Sequence, residues 1–173
     1  MVMAQNASGS AASGSVTAEA IWSALQEVKD PEIPVISVVE MGIVRDVTVS
    51  PAGVIVKMTP TFSGCPALDV MRTDIESKIR ELGVQQVQVN LVLHPPWSSD
   101  WIDETGRQKL KHFGLAPPPR HGGRLEVTFY ESVPCPRCDS PNTIVRNTFG
   151  PTLCRAMYTC NNCQEPFEQF KPL

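Results

Sequence analysis

The sequence predicts an α+β protein in which helices cover one side of a small three-stranded sheet and a compact four-cysteine module follows. Three observations carry this reading. Two stretches with apolar residues at helical spacing flank a pair of alternating segments joined by Ser50-Pro51-Ala52-Gly53. A third alternating segment runs over 87–93. Near the end, Cys135-Pro-Arg-Cys138 and Cys160-Asn-Asn-Cys163 form two CxxC pairs separated by residues 139–159, the spacing at which two thiolate knuckles close around one tetrahedral metal.

Residues 1–15 are rich in Ser, Ala and Gly without an apolar period and read as a disordered tail. They have neither a basic n-region nor an apolar h-region, so no signal peptide is expected and the default compartment is the reducing cytoplasm. The α+β domain with its C-terminal extension is expected over 16–116. It opens at Thr17, an N-cap with Glu19 in the first turn, and Ile21, Trp22, Leu25 and Val28 follow at helical spacing. Asp30-Pro31 is the predicted stop. Residues 30–34, Asp-Pro-Glu-Ile-Pro, are too proline-rich to read as helix or strand.

After Gly42 a strand alternates through Ile43, Val47 and Val49, then turns at residues 50–53 into a second strand, 54–59. Proline second and glycine fourth suit a type I turn, which makes the pair an antiparallel hairpin. Leu68, Met71, Ile75, Ile79 and Leu82 predict a helix over 66–82 with one apolar stripe, capped by Gly83. Val87, Val89, Leu91 and Leu93 share one face of the third strand. A short helix is expected within 97–113, with Asp103-Glu104 early and Lys109 and Lys111 late, as the macrodipole favours. The chain has 16 prolines, and those at 117–119 mark a linker over 117–123. Leu125, Val127 and Phe129 predict a strand over 124–130 that introduces the module of residues 124–173.

Four thiolates fill a tetrahedron and leave no position for a catalytic water, so Cys135, Cys138, Cys160 and Cys163 predict a structural zinc ribbon. Rubredoxin-like iron is the rival for the same ligands. The metal replaces the core that so short a segment cannot build. With 42% hydrophobic residues among 173, the chain supports a packed core, yet no run approaches the ~18 apolar residues of a membrane span. Its net charge of -3 supplies no basic field for phosphates, which argues against nucleic acid as a partner.

Outside the metal ligands, Cys65 is the candidate reactive residue. It lies between Gly64 and Pro66 at the start of a predicted helix, where free N–H groups and the dipole favour a thiolate. A small buried residue filling space is the equally weighted alternative. Thr59, Thr61 and Ser63 bring hydroxyls to the same turn, as site members or as local caps. Asp30, Glu32 and Glu40 either line the same cleft or act as solvent-facing caps, the latter favoured for Glu40. Cys154 reads as a packed thiol, with a spare ligand as the lesser alternative, and no role falls to His94, His112 or His121. The chain lacks GxGxxG, GxxxxGK[ST] and any spaced triad or acid pair, so an autonomous catalyst is not expected.

The stretches Asp30-Pro-Glu-Ile-Pro34, Glu40-Met-Gly-Ile-Val44 and Thr59-Pro-Thr-Phe-Ser-Gly-Cys-Pro66 resemble the family that includes SufT and the eukaryotic cytosolic iron-sulfur targeting component. In that family a DPE-x-P loop and a T-x-T-x3-CP turn frame a reactive cysteine, which matches Cys65. The resemblance implies an iron-sulfur assembly domain in which Cys65 is a reactive thiol or cluster ligand and the cargo is an iron-sulfur cluster or iron held in passing. Asp30, Glu32, Thr59 and Thr61 are the cofactor-binding candidates beside it.

Further stretches, His94-Pro-Pro-Trp-Ser98, Asp100-Trp-Ile102, residues 147–154, Glu165-Pro-Phe167 and Phe170-Lys171, are similar to the PaaD family of the bacterial phenylacetyl-CoA epoxidase system. This second resemblance implies a cytoplasmic accessory protein of aerobic phenylacetate degradation. Such a protein helps to mature or assemble the iron-sulfur or di-iron components of a multicomponent oxygenase, which are its expected partners. No membrane and no nucleic acid enter that picture. The chain departs from the usual ribbon at Asp139, where glycine is common. Two other readings remain: a structural component of the oxygenase that uses Trp97, Trp101 and the proline-rich linker as its binding surface, and a nucleic-acid-binding ribbon.

Overall fold

The structure is a computed structural model that describes residues 16–62, 64–123 and 132–173. The predicted tail at 1–15, Ser63 and the predicted strand at 124–130 lie outside the described residues.

Helix α1 spans Ala18–Leu25 and starts where the Thr17 hydroxyl accepts the N–H of Ala20 at 3.2 Å, satisfying one of the donors that every helix start leaves free. Ile21 and Leu25 face inward and are fully buried. The helix ends before the predicted stop at Asp30. Lys29–Asp30 forms a short strand, β1, that pairs antiparallel with β2, Ile33–Ser37. The proline-rich stretch expected to be neither helix nor strand is therefore half a hairpin. Pro34 is tolerated because it sits exposed in a two-stranded ribbon, where a missing N–H leaves no ladder partner stranded. Asp30 closes the turn, its Oδ1 accepting the N–H groups of Glu32 at 2.8 Å and Ile33 at 3.0 Å.

The predicted hairpin forms from β3, Val44–Ser50, and β4, Gly53–Met58, with Val47 opposite Val56 and Ser50 opposite Gly53. Helix α2, Leu68–Glu81, then crosses over to β5, Val87–Leu91, which pairs parallel to β4 and gives the order β3-β4-β5. The predicted stripe Met71, Ile75 and Ile79 is buried, and Gly83 follows the helix in the left-handed region at φ 88°. Helix α2 begins later than predicted, after Ala67, and Leu93 lies beyond the strand and is 58% exposed.

A 3-10 turn at Ser99–Trp101 leads to α3, Glu104–Phe113, capped by Asp103, whose Oδ1 accepts the Gly106 N–H at 2.6 Å. Just beyond it, Leu115–Ala116 forms β6, which does not belong to the first sheet. It pairs in parallel with β9, Pro166–Phe170, in a four-stranded sheet ordered β6-β9-β8-β7, where β7 is Thr143–Asn147 and β8 is Arg155–Cys160. The expected boundary at 117–123 thus runs through a connection within one sheet. Buried Arg107 holds that connection, its guanidinium donating to the carbonyls of Pro118, Ser99 and Ile102.

The two layers share a core. Phe170 on β9 is 1% exposed and packs with the cluster of Ile21, Ile36, Met71 and Ile75, its ring 5.7 Å from that of Trp97. Arg155 on β8 donates from Nη2 to the Glu32 carbonyl at 2.8 Å and pairs through Nη1 with Glu168 at 2.9 Å. Trp97 is buried, with Nε1 donating to the Met41 carbonyl at 3.0 Å, and the Arg45 guanidinium lies 3.5 Å from the Trp101 ring centroid. Of the two tryptophans offered as a binding surface, Trp97 is therefore core, while Trp101 is half-buried with Arg45 over its ring.

Gly42 accounts for the Glu-Met-Gly stretch. At φ 66°, a Cβ there would stand 2.7 Å from the Trp101 Cβ and 2.8 Å from its carbonyl oxygen. Gly42→Ala should lower unfolding stability by about 1–3 kcal/mol in urea titration, from backbone strain and the clash together. Gly64→Ala, where no atom lies within 4 Å of the added carbon, should be nearly neutral in the same titration.

Candidate functional site

The two CxxC turns meet at one end of the ribbon sheet. All four sulfurs lie within 4.8 Å of one another, with Cys135 and Cys163 at 3.7 Å and Cys138 and Cys160 at 3.6 Å. Metal–sulfur bonds of about 2.3 Å in a tetrahedron place sulfurs about 3.8 Å apart, so the four thiols fit one metal ion. Each knuckle turns through a residue in the left-handed region, Asp139 at φ 57° and Gln164 at φ 62°. The first closes with the Asp139 N–H donating to the Cys135 carbonyl at 2.9 Å, and in the second the Cys163 N–H points at the Cys160 sulfur at 3.5 Å. That last contact is the main reason the Cys160 thiol is brought down to about 7. Asp139 fills the position where glycine is common without loss of the knuckle, since Asp tolerates this backbone region, and Lys111 pairs with its carboxylate.

Cys65 lies elsewhere. A cavity of about 280 Å³ opens between the α+β domain and the ribbon, with Glu32, Thr61 and Cys65 on one wall and Phe149, Thr152 and Cys154 on the other. The Cys65 N–H donates to the Phe62 carbonyl at 3.1 Å, and its own carbonyl accepts from Leu68 at 3.2 Å. It therefore occupies a turn ahead of α2 and not the helix's first turn. Burial pushes its thiol up; a backbone hydrogen bond from Ala67 works the other way, and the charges of Asp30, Glu32 and Cys154 add to the rise. Burial, with the nearby carboxylates adding to it, therefore favours the thiol over the thiolate that the turn suggested.

Cys154, read from sequence as a packed thiol, does pack against the apolar core, and the structure also places it in the lining of the cavity that holds Cys65. It sits on the loop between β7 and β8, with the Thr152 hydroxyl 3.1 Å from its sulfur. Burial raises its pKa, while Thr152 and Arg155 oppose the rise. Lys171 clamps the loop, donating from its backbone N–H to the Cys154 carbonyl and from Nζ to the Leu153 carbonyl, both at 2.9 Å. The only hint in the sequence is a Gly-Pro turn just ahead of an unpaired cysteine.

Of the other candidates, Glu32 and Thr61 line the cavity, and Asp30, Thr59 and Glu40 do not. Asp30 is committed to its turn, and Thr59 is 2% exposed with its N–H on the Ile43 carbonyl. Glu40 caps a turn, as favoured, yet it is 6% exposed instead of facing solvent. Its Oε2 accepts the Ser37 N–H at 2.9 Å and its Oε1 meets Lys109 at 2.5 Å. Burial works against its charge, but Lys109 and Ser37 prevail and hold the carboxyl below its ordinary value.

Two families match the chain in succession: the iron-sulfur cluster assembly protein family over residues 18–91 and the PaaD zinc beta ribbon domain over residues 123–171. The chain is 40% identical over 151 residues to an Escherichia coli K12 protein provisionally named as one of the subunits of 1,2-phenylacetyl-CoA epoxidase, a match that covers 87% of this chain and 90% of that one. It is 38% identical over 96 residues to an Fe-S protein maturation auxiliary factor of Porphyromonas gingivalis, 54% of this chain and 90% of that one. Among solved structures, a DUF59 domain of unknown function from Bacillus anthracis superposes with a TM-score of 0.50 at 28% identity, over 53% of this chain and 89% of that one. No helix among the described residues is long and apolar enough to cross a membrane.

The raised Cys65 thiol sets a measurable pH response. In the metal-loaded chain, alkylation of Cys65 followed by peptide mapping should accelerate about tenfold per pH unit from 7 through 9, because reactivity tracks the thiolate fraction below the pKa. A plateau reached before pH 8 would show a stabilised thiolate instead.

Proposed function

We propose, from the premise that the chain belongs to the PaaD family of phenylacetyl-CoA epoxidase proteins, that it is an accessory maturation factor for that oxygenase. In this reading it assists insertion of iron or an iron-sulfur cluster into the oxygenase components through Cys65. The observation that supports it best is the cavity between the modules, which presents Cys65 beside Glu32 and Thr61 at a point that a client protein can reach. Zinc is the ion assigned to the ribbon, where four thiolates saturate it and keep it out of the chemistry. The protein works in the cytoplasm, and its partners are the iron-sulfur or di-iron components of the epoxidase.

The chemistry of the thiol suits a carrier. Cys65 is protonated at neutral pH, so an incoming iron must displace the proton, and reprotonation assists release. A strongly acidic thiol would bind iron at neutral pH without that competition and give it up less readily. The half-buried position limits solvent access while the cargo is held.

The test is client loading. Cys65→Ser should leave the fold and the ribbon zinc unchanged, by circular dichroism and metal analysis, while the iron or cluster content of co-expressed epoxidase components falls several-fold. Undiminished client iron with the variant would remove this thiol from the mechanism and favour a purely structural role, recognisable by co-purification with the epoxidase in fixed stoichiometry.

A further inference from the structure

Cys65 is not alone in its cavity. Cys154 reaches the same space from the opposite wall, and both sulfurs pack against the same apolar cluster. Glu32 adds a carboxylate to the lining. The rest of the wall includes Phe62, Pro66 and Phe149, all three exposed. Two cysteines supplied by two different modules, with an acid in the same lining, form a donor set with a definite preference: thiolates select soft or borderline cations, and one carboxylate accommodates Fe(II) and Zn(II) alike.

We infer that Cys65, Cys154 and Glu32 form a second, open metal site at the junction of the two modules, which holds one thiophilic divalent cation in transit. The inference rests on the maturation reading for the cargo's role, though not for the site itself. Two thiolates and a carboxylate around a divalent ion leave one residual negative charge. Arg155, anchored on the Glu32 carbonyl and paired with Glu168, and Lys171, anchored on the Leu153 carbonyl, both act electrostatically on Cys154 and partly offset it. Binding forms two metal–sulfur bonds and sends both thiol protons to solvent, with no change of oxidation state.

The site is built differently from the ribbon centre. Among the described residues, only the four ribbon cysteines already hold their ligand atoms within 4.8 Å of one another. The junction ligands line a cavity and must draw together around an ion. A preorganised tetrahedron retains its metal, whereas a site that closes on binding spends part of its binding energy on closure and releases more readily. With only three protein ligands it also keeps a coordination position open for a client's ligand.

The experiment is an anaerobic titration of the full chain, its ribbon loaded with zinc, with Co(II) as the probe. One further equivalent should bind and give thiolate-to-cobalt charge-transfer absorption in the near ultraviolet, with ribbon zinc unchanged by metal analysis. Cys65→Ser and Cys154→Ser should each weaken binding at least tenfold and lose that band, and Glu32→Gln should weaken it several-fold. Cys154→Ala, which adds no hydroxyl to a half-buried position, is the second variant should the serine disturb the loop. Absence of the further equivalent, or Cys154 variants that bind cobalt as tightly as the parent, would overturn the site. A chain that takes up no second metal yet still needs Cys65 for client loading refutes this inference and leaves the maturation reading standing. Cobalt bound as described, with client iron independent of Cys65, does the reverse.

Discussion

The packing of the ribbon against the α+β domain is the constraint on which the rest depends. Phe170 fills the shared core beside Trp97, and Arg155 spans the gap to the Glu32 carbonyl while its other arm pairs with Glu168. These contacts set the loop between β7 and β8 over the turn ahead of α2, and the cavity between them exists only because both walls are fixed. Buried aromatic area contributes most of the adhesion, and the arginine contributes direction. Neither module by itself encloses the space.

The two kinds of sulfur differ because their backbones differ. In the ribbon, left-handed residues after each second cysteine fold the chain back so that N–H groups and sulfurs converge, and one thiol is brought down to about 7 even before a metal is considered. At the junction the Ala67 N–H favours the Cys65 thiolate but does not prevail. Burial and nearby carboxylates hold its proton in place. The Cys160 and Cys65 thiols are therefore shifted in opposite directions.

Much of this was legible in the sequence where local physics decides. The stripe of α2, the hairpin turn at residues 50–53, the Thr17 cap, the acidic start of α3 at Asp103-Glu104 and the paired CxxC knuckles each depend on residues close in the chain. Errors fell where distant residues decide. Asp30-Pro31 reads as a helix stop, yet Asp30 is held in a hairpin by its own carboxylate. Trp97 and Trp101 enter one sequence reading as a binding surface, and neither the burial of Trp97 under the Met41 carbonyl nor the Arg45 contact on half-buried Trp101 can be read from spacing. Cys154 could not be placed across the cavity from Cys65 by spacing, since that cavity depends on how the two modules meet.

The parallel pairing of β6 with β9 has a consequence for modularity. The ribbon borrows an edge strand from ahead of its connecting segment, with Leu115 opposite Glu168 and Ala116 opposite Gln169. A ribbon transplanted onto another carrier from residue 124 onward would arrive with the flank of β9 unprotected, an invitation to strand exchange between copies. A transplant that keeps β9 paired therefore has to begin at the end of α3, so that Leu115 and Ala116 travel with the metal module.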